Sequence, residues 1–342
     1  MKKTLFLSLA ALATLFACNK AIVTVPEDSE LETVPTRIEL GTGTTATKAD
    51  MIDADRFANI NYGVLAVDLA DNTVLLAGVE AQNSTPEEKD YTVASFVGGP
   101  YYYPLHNDHN FTFFGYRTNE DDDFTYDDSF TVNDIAIGYT DIIWATCAAT
   151  PYNETQGFNA RYIRKIKEAA GEGDYLAGEY APKLTFNHLT SALIFKIKAA
   201  SSTAAGTLEN IKLTGITING VKQTARLALL SGTLSSEATA EALAVPSEQE
   251  VAISTEATQF GAPVFVLPTA IDPANYTIAL TLSVNNTEET VENIVLTAPE
   301  GGYVAGSAYT FSISINSYEQ IEVVTALTPW NNVEIPDDIE ID

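Results

Sequence analysis

From about residue 60 onward, hydrophobic and polar positions alternate with a period of two along much of this chain. NYGVLAVDL, DYTVASFV, NFTFFGYR, DIAIGY and DIIWATC are short runs rich in β-branched and aromatic residues, each bounded by Asn, Asp, Gly or Pro. Such runs predict strands, because successive side chains of a strand point to opposite faces. A second set begins at KLTFNHLTSALIFKIKA (183–199) and continues through ENIKLTGITING, APVFVLP, YTIALTLSVNN, ENIVLTA and AYTFSISIN. Between them, ARYIRKIKEAAGEG (160–173) reads as a short helix or a crossover, while SSTAAGT (201–207) and the Ser-, Thr-, Ala- and Glu-rich stretch 231–259 read as loops. Strands this close together, with almost no amphipathic helix between them, predict an all-β protein of two antiparallel β-sandwich domains in tandem. The boundary is placed near Gly178 to Lys183, which gives domains 49–182 and 183–342.

The first 50 residues follow another pattern. MKKTLFLSLAALATLFAC opens with Lys2 and Lys3 and carries an apolar run from Leu5 to Phe16, too short for a spanning helix, so residues 1–17 read as an export signal. Leu15-Phe16-Ala17-Cys18 resembles the lipobox of bacterial lipoproteins. That resemblance implies acylation of Cys18, which would become the first residue of a precursor tethered to the outer membrane. Cys147, the other cysteine, is then left unpaired and reads as an apolar filler in a strand. Residues 18–48 are poor in aromatics and rich in Thr, Glu and Pro, with strand-like pieces AIVTV and RIEL, and read as a leader.

A net charge of −28 over 342 residues repels phosphates, so a nucleic-acid partner is not expected, and a membrane is met only through lipid on Cys18. GTGTTA (41–46) fits G-x-G-x-x-A, but no βαβ unit surrounds it, and no cofactor is expected. His106 and His109 in HNDH, with Asp108, offer an incomplete ligand set and read as a loop, and His188 reads as a hydrogen-bonded structural histidine. Glu120, Asp121, Asp122, Asp123, Asp127 and Asp128 lack the alternating spacing that folds carboxylates around calcium, so they read as a solvated loop with calcium as the alternative. Tyr101, Tyr102 and Tyr103 form either a strand with alternate rings in the core or a sugar-stacking platform. No metal site and no catalytic motif of the G-x-S-x-G or H-E-x-x-H kind is found, so an enzyme is not expected.

Taken in order, the lipobox at Cys18, TATKAD, YYYPL followed by NFTFFGY, DIIWA, LTFNHLTSALIFKIK, FVLP with YTIALTLSV, GGYVAGSAYTFSISI and LTPW resemble the fimbrillin family of Bacteroidetes. The resemblance implies two transthyretin-like sandwiches and a precursor matured by a trypsin-like protease, which removes an N-terminal strand. A neighbour's strand then fills the groove, so that subunits join head-to-tail into surface fimbriae that serve adhesion. Arg37 and Lys48 are the candidate cleavage positions, and the sequence does not choose between them. Ile321, Val323, Thr325 and Leu327 lie on one face of a possible strand, either the donor or the last strand of the C-terminal domain. Within the family, a tip adhesin or a lipid-retained anchor are the alternatives; outside it, a surface glycan-binding lipoprotein. The ligand at the host or bacterial surface is not named by the sequence.

Overall fold

A computed structural model describes residues 35–44, 60–83, 92–105, 109–119, 123–147, 157–164, 181–273, 275–317 and 320–329. Cys18, Lys48, His106, Asp108 and 120–122 lie outside these residues. The N-terminal half supplies β1 (Leu40–Thr44), β2 (Asn61–Asp68), β3 (Thr73–Asn83), β4 (Thr92–Phe96), β5 (Phe111–Arg117), β6 (Thr131–Ala136), β7 (Ile143–Cys147) and β8 (Lys183–His188). All but β6 form a closed barrel in the order β1-β4-β3-β2-β5-β7-β8.

Continuous apolar runs in β2 and β5 follow from burial on both faces. Tyr62, Val64 and Ala66 point into the barrel core, while Leu65 and Val67 join a second core outside it. Phe113 and Phe114 of β5 divide in the same way. Strands buried on both sides lose the polar alternation seen where one face meets water. Close packing inside the barrel also fixes Gly115, where an added Cβ would lie 2.5 Å from the Phe186 ring.

The C-terminal half contains β9 (Ser191–Ala199), the helix α1 (Ser202–Thr207), β10 (Ile211–Lys222), β11 (Thr224–Ala228), β12 (Thr233–Ser235), β13 (Ala240–Ala244) and β14 (Val251–Ala252). It continues with β15 (Thr258–Val266), β16 (Thr277–Val284), β17 (Thr287–Val295), β18 (Ser307–Ser317) and β19 (Gln320–Pro329). One sheet runs β15-β9-β18-β19 and another β13-β10-β16-β17, with β14 also on β10. Their inner faces share one core, which holds Phe195, Phe311 and Ile313 from the first sheet and Leu213, Ile218 and Leu280 from the second. A small sheet, β12-β11-β6, joins the halves through pairing of β6 with β11. Trp144 adds to that junction by donating its indole N–H to the Leu229 carbonyl at 2.8 Å.

The all-β architecture matches the sequence pattern, and several finer expectations change. Not every pairing is antiparallel: β1 runs parallel to β8, and β9 parallel to β18. Both pairs are joined through long intervening chain, as parallel strands require. β8, grouped by sequence with the second sandwich, bonds instead to β1 and β7 and sends Leu184 and Phe186 into the barrel core. Alternation reveals a strand but not the sheet it joins. Within 201–207, read as loop, Ser201 caps α1 by accepting the Ala204 N–H at 3.1 Å. The stretch 231–259 holds the short strands β12, β13 and β14, whose weak strand formers are recruited by pairing with β11 and β10. At 160–164 the chain is helical.

Candidate functional site: the seam of the N-terminal barrel

β1 is the strand that closes the barrel. It lies antiparallel to β4, with Leu40 opposite Ala94 and Thr42 opposite Thr92, and parallel to β8, with Thr42 opposite Leu184 and Thr44 opposite Phe186. Its lead-in is held as well: the Ile38 N–H donates to the Tyr101 carbonyl at 2.9 Å, and the Tyr103 N–H donates to the Thr36 carbonyl at 3.0 Å. The pattern RIELGT puts Ile38, Leu40 and Thr42 on the inner face, at 2%, 0% and 0% exposure, with Arg37 outside and exposed. Ile38 and Leu40 belong to the barrel core with Tyr62, Phe113 and Phe186.

Thr42 brings a polar contact into that apolar interior. Its hydroxyl donates to Asn83 Oδ1 at 2.6 Å, and the Tyr62 hydroxyl donates to the same oxygen at 3.0 Å. All three residues are buried. Burial pushes the Tyr62 phenol far above its ordinary range, which keeps it a neutral donor. GTGTTA is thus not a phosphate loop: Gly41–Thr44 belong to the closing strand.

Arg37 and Lys48 now differ in what their cleavage would release. The bond after Arg37 lies within backbone already paired to Tyr101 and Tyr103, and a cut there leaves β1 seated. Lys48 lies four positions beyond Thr44, the last residue of β1, so a cut there would leave the whole strand on the N-terminal fragment. At the other end of the chain, β19 is the terminal strand of its sheet. Ile321, Val323, Thr325 and Leu327 stand in register with the buried Ile315, Ile313, Phe311 and Tyr309 of β18. Val323 packs against the C-terminal core.

The remaining candidates resolve into local structure. Tyr103 is buried against Phe113, Tyr101 packs edge-on to Phe96, and Tyr102 alone of the three is exposed, so no three-ring platform forms. His188 is buried and bonded to Asp141, whose other oxygen accepts the Thr190 hydroxyl at 3.0 Å. Asp127 accepts from the Ser129 hydroxyl, the Asn133 amide, the Thr131 N–H and the Ser129 N–H, and these bonds lower its carboxyl to about 2. Burial raises the Cys147 thiol.

Sequence reasoning missed two partners of His109. Its Nδ1 lies 3.1 Å from Asp68 Oδ2 and 3.6 Å from Asp71 Oδ2, the one grouping of potential metal ligands among the described residues. Asp68 also accepts the Ala70 and Asn110 N–H groups, so the trio staples the β2–β3 turn to the start of β5. About forty residues separate His109 from Asp68, and Thr42 from Asn83, so no local spacing announces either pair.

Fold and seam together define an all-β protein with a barrel closed by the first of its described strands. Residues 36–330 match the fimbrillin-like family model, and the chain belongs to that family. Two crystal structures, each described as a "putative cell adhesion protein", share the fold. One, from Bacteroides uniformis, is 17% identical with a TM-score of 0.56, covering 87% of this chain and 99% of that one. The other, from Bacteroides ovatus, is 15% identical with a TM-score of 0.55, covering 89% and 100%. The tip fimbrial protein Mfa3 from Porphyromonas gingivalis aligns at 12% identity and a TM-score of 0.42, over 86% of this chain and 100% of that one. No curated protein matches the chain significantly.

Proposed function

We propose that this chain is a non-enzymatic structural subunit of surface fimbriae, assembled by proteolysis-triggered strand exchange and serving cell adhesion. The observation that carries this is the placement of β1, which alone joins β4 to β8. Removing it opens a groove lined by the barrel core and leaves two strand edges with unpaired backbone groups. An extended segment from another subunit repairs both deficits at once. About five apolar side chains entering such a groove contribute on the order of 10 kcal/mol before ordering entropy is subtracted. Because donor and acceptor are different surfaces, the contact propagates head-to-tail instead of closing into a dimer.

The cut must fall between Thr44 and Asn61, where the sequence carries Lys48 and Arg56. Cys18, acylated, would hold the precursor at the outer membrane until a trypsin-like protease discards the leader. Mild trypsin treatment of the purified precursor, N-terminal sequencing and electron microscopy test this. Chains that begin after Lys48 or Arg56 form fibres and heat-resistant ladders, whereas chains that begin at Ile38 stay monomeric. Complete cleavage between β1 and β2 without fibres would refute the stalk role.

A further inference from the structure

The turn after β2 and the lead-in to β5 bring together three side chains of a kind that binds metal. Asp68 ends β2, Asp71 stands in the turn before β3, and His109 lies two positions before β5. One carboxylate oxygen of each aspartate and a ring nitrogen of His109 lie within 4.8 Å of one another. The imidazole separates this group from an ordinary acidic surface. It is a ligand suited to zinc, whereas calcium takes about six to eight oxygens.

Backbone groups aim both carboxylates. Asp68 Oδ1 accepts the Ala70 N–H and Asp71 Oδ1 accepts the Thr73 N–H, each at 2.9 Å. In both residues Oδ2 is the oxygen turned to His109 Nδ1, at 3.1 Å for Asp68 and 3.6 Å for Asp71. The Asn110 N–H also donates to Asp68 Oδ2 at 3.0 Å, and the His109 ring lies against Phe111 with centroids 5.9 Å apart. Ligands held by such outer contacts are oriented before an ion arrives.

A proton on Nδ1 does not join all three groups. It serves Asp68, but 3.6 Å is too long for a hydrogen bond to Asp71. A single metal ion bonds all three atoms. With bonds of about 2.1 Å at a tetrahedral angle, neighbouring ligand atoms stand about 3.4 Å apart. The two observed distances fall on either side of that value. Two carboxylates this close also repel, and a divalent ion balances both where an imidazolium balances one. Side-chain exposure rises from 9% at Asp68 through 30% at His109 to 53% at Asp71, so the group opens to solvent on one side.

We propose that Asp68 Oδ2, Asp71 Oδ2 and His109 Nδ1 form a zinc site that clamps the β2–β3 turn to the start of β5. The imidazole binds in its neutral form, so a proton held at Nδ1 leaves to solvent, and water fills the remaining position on the open side. All three ligands come from one chain, so the site does not depend on strand exchange.

The full chain, stripped with EDTA and dialysed, is titrated with zinc chloride by calorimetry. Its tightest equivalent of zinc is lost in His109→Ala and weakened about tenfold or more in Asp71→Asn, while His106→Ala leaves the affinity unchanged. Saturating zinc raises the thermal midpoint of the unsubstituted chain and not that of His109→Ala. Nitrogen-15 NMR of the imidazoles needs no substitution of a ligand, and the chain has only three histidines to distinguish. Zinc shifts Nδ1 of His109 and leaves His188 in place. Zinc affinity that is the same in both ligand variants, or zinc that shifts His106 and not His109, would overturn the site. Calcium chloride that competes for the same equivalent at equal concentration would overturn it too, because carboxylates alone would then hold the ion.

Discussion

Leu40→Ala measures how much of the barrel's stability depends on the closing strand. Leu40 is fully buried in the N-terminal core. The change removes three carbons, worth about 2.4 kcal/mol at about 0.8 kcal/mol per buried methylene. If nothing relaxes, a void of about 80 Å3 at about 24 cal/mol per Å3 adds up to about 2 kcal/mol more. The expected loss is about 2.5–4.5 kcal/mol, toward the lower end if the short strand shifts to close the gap. Urea unfolding of the full chain, followed by circular dichroism, reads this as a lower midpoint at an unchanged slope. Arg37→Ala, on the exposed face of the same segment, is the control and changes stability by less than about 0.5 kcal/mol. A Leu40→Ala loss below about 1 kcal/mol would refute the placement of β1 in the core.

Thr42→Val keeps the shape of the side chain but deprives Asn83 of one buried donor, so the same unfolding assay gives a loss of about 1–3 kcal/mol. Asp127 is held at about 2 by the donors around it, below its unfolded value of 3.8, so its contribution is present above about pH 4 and disappears as pH falls through 2. An NMR titration of the Asp127 carboxyl gives that midpoint, and Asp127→Asn removes this part of the acid dependence of stability. Gly232 has φ +66°, and an added Cβ would lie 2.5 Å from Trp144, so Gly232→Ala costs about 1–3 kcal/mol and shifts the fluorescence of that indole.

What the sequence made legible follows from the range of each interaction. Strands such as NYGVLAVDL and NFTFFGYR stood out because burial on both faces selects β-branched and aromatic residues within one short window. RIEL was visible only as a strand-like piece of a leader, without the face it buries. Its continuation, GTGT, was not: glycine is a weak strand former and the run has no apolar residue to alternate, and β4 and β8 impose the extended form from far along the chain. β13 and β14 escaped notice likewise, because the register of β10 creates them. The membership of β8 in the barrel is set by the closure of a ring, which no alternation records. Thr42 with Asn83 is the sharpest case, since a hydroxyl and an amide forty-one positions apart carry no mark of each other.

Counting strand edges ties the proposed assembly to the cut. β1 pairs with β4 on one side and β8 on the other, so among the described residues the seam offers no open edge. Loss of β1 would expose one edge on each of β4 and β8 and uncover the barrel core, and an incoming strand would close both edges and fill the groove. On this proposal the uncut chain remains monomeric by light scattering at concentrations where the cut chain forms fibres, and fibres from uncut chain would break this link between cleavage and assembly.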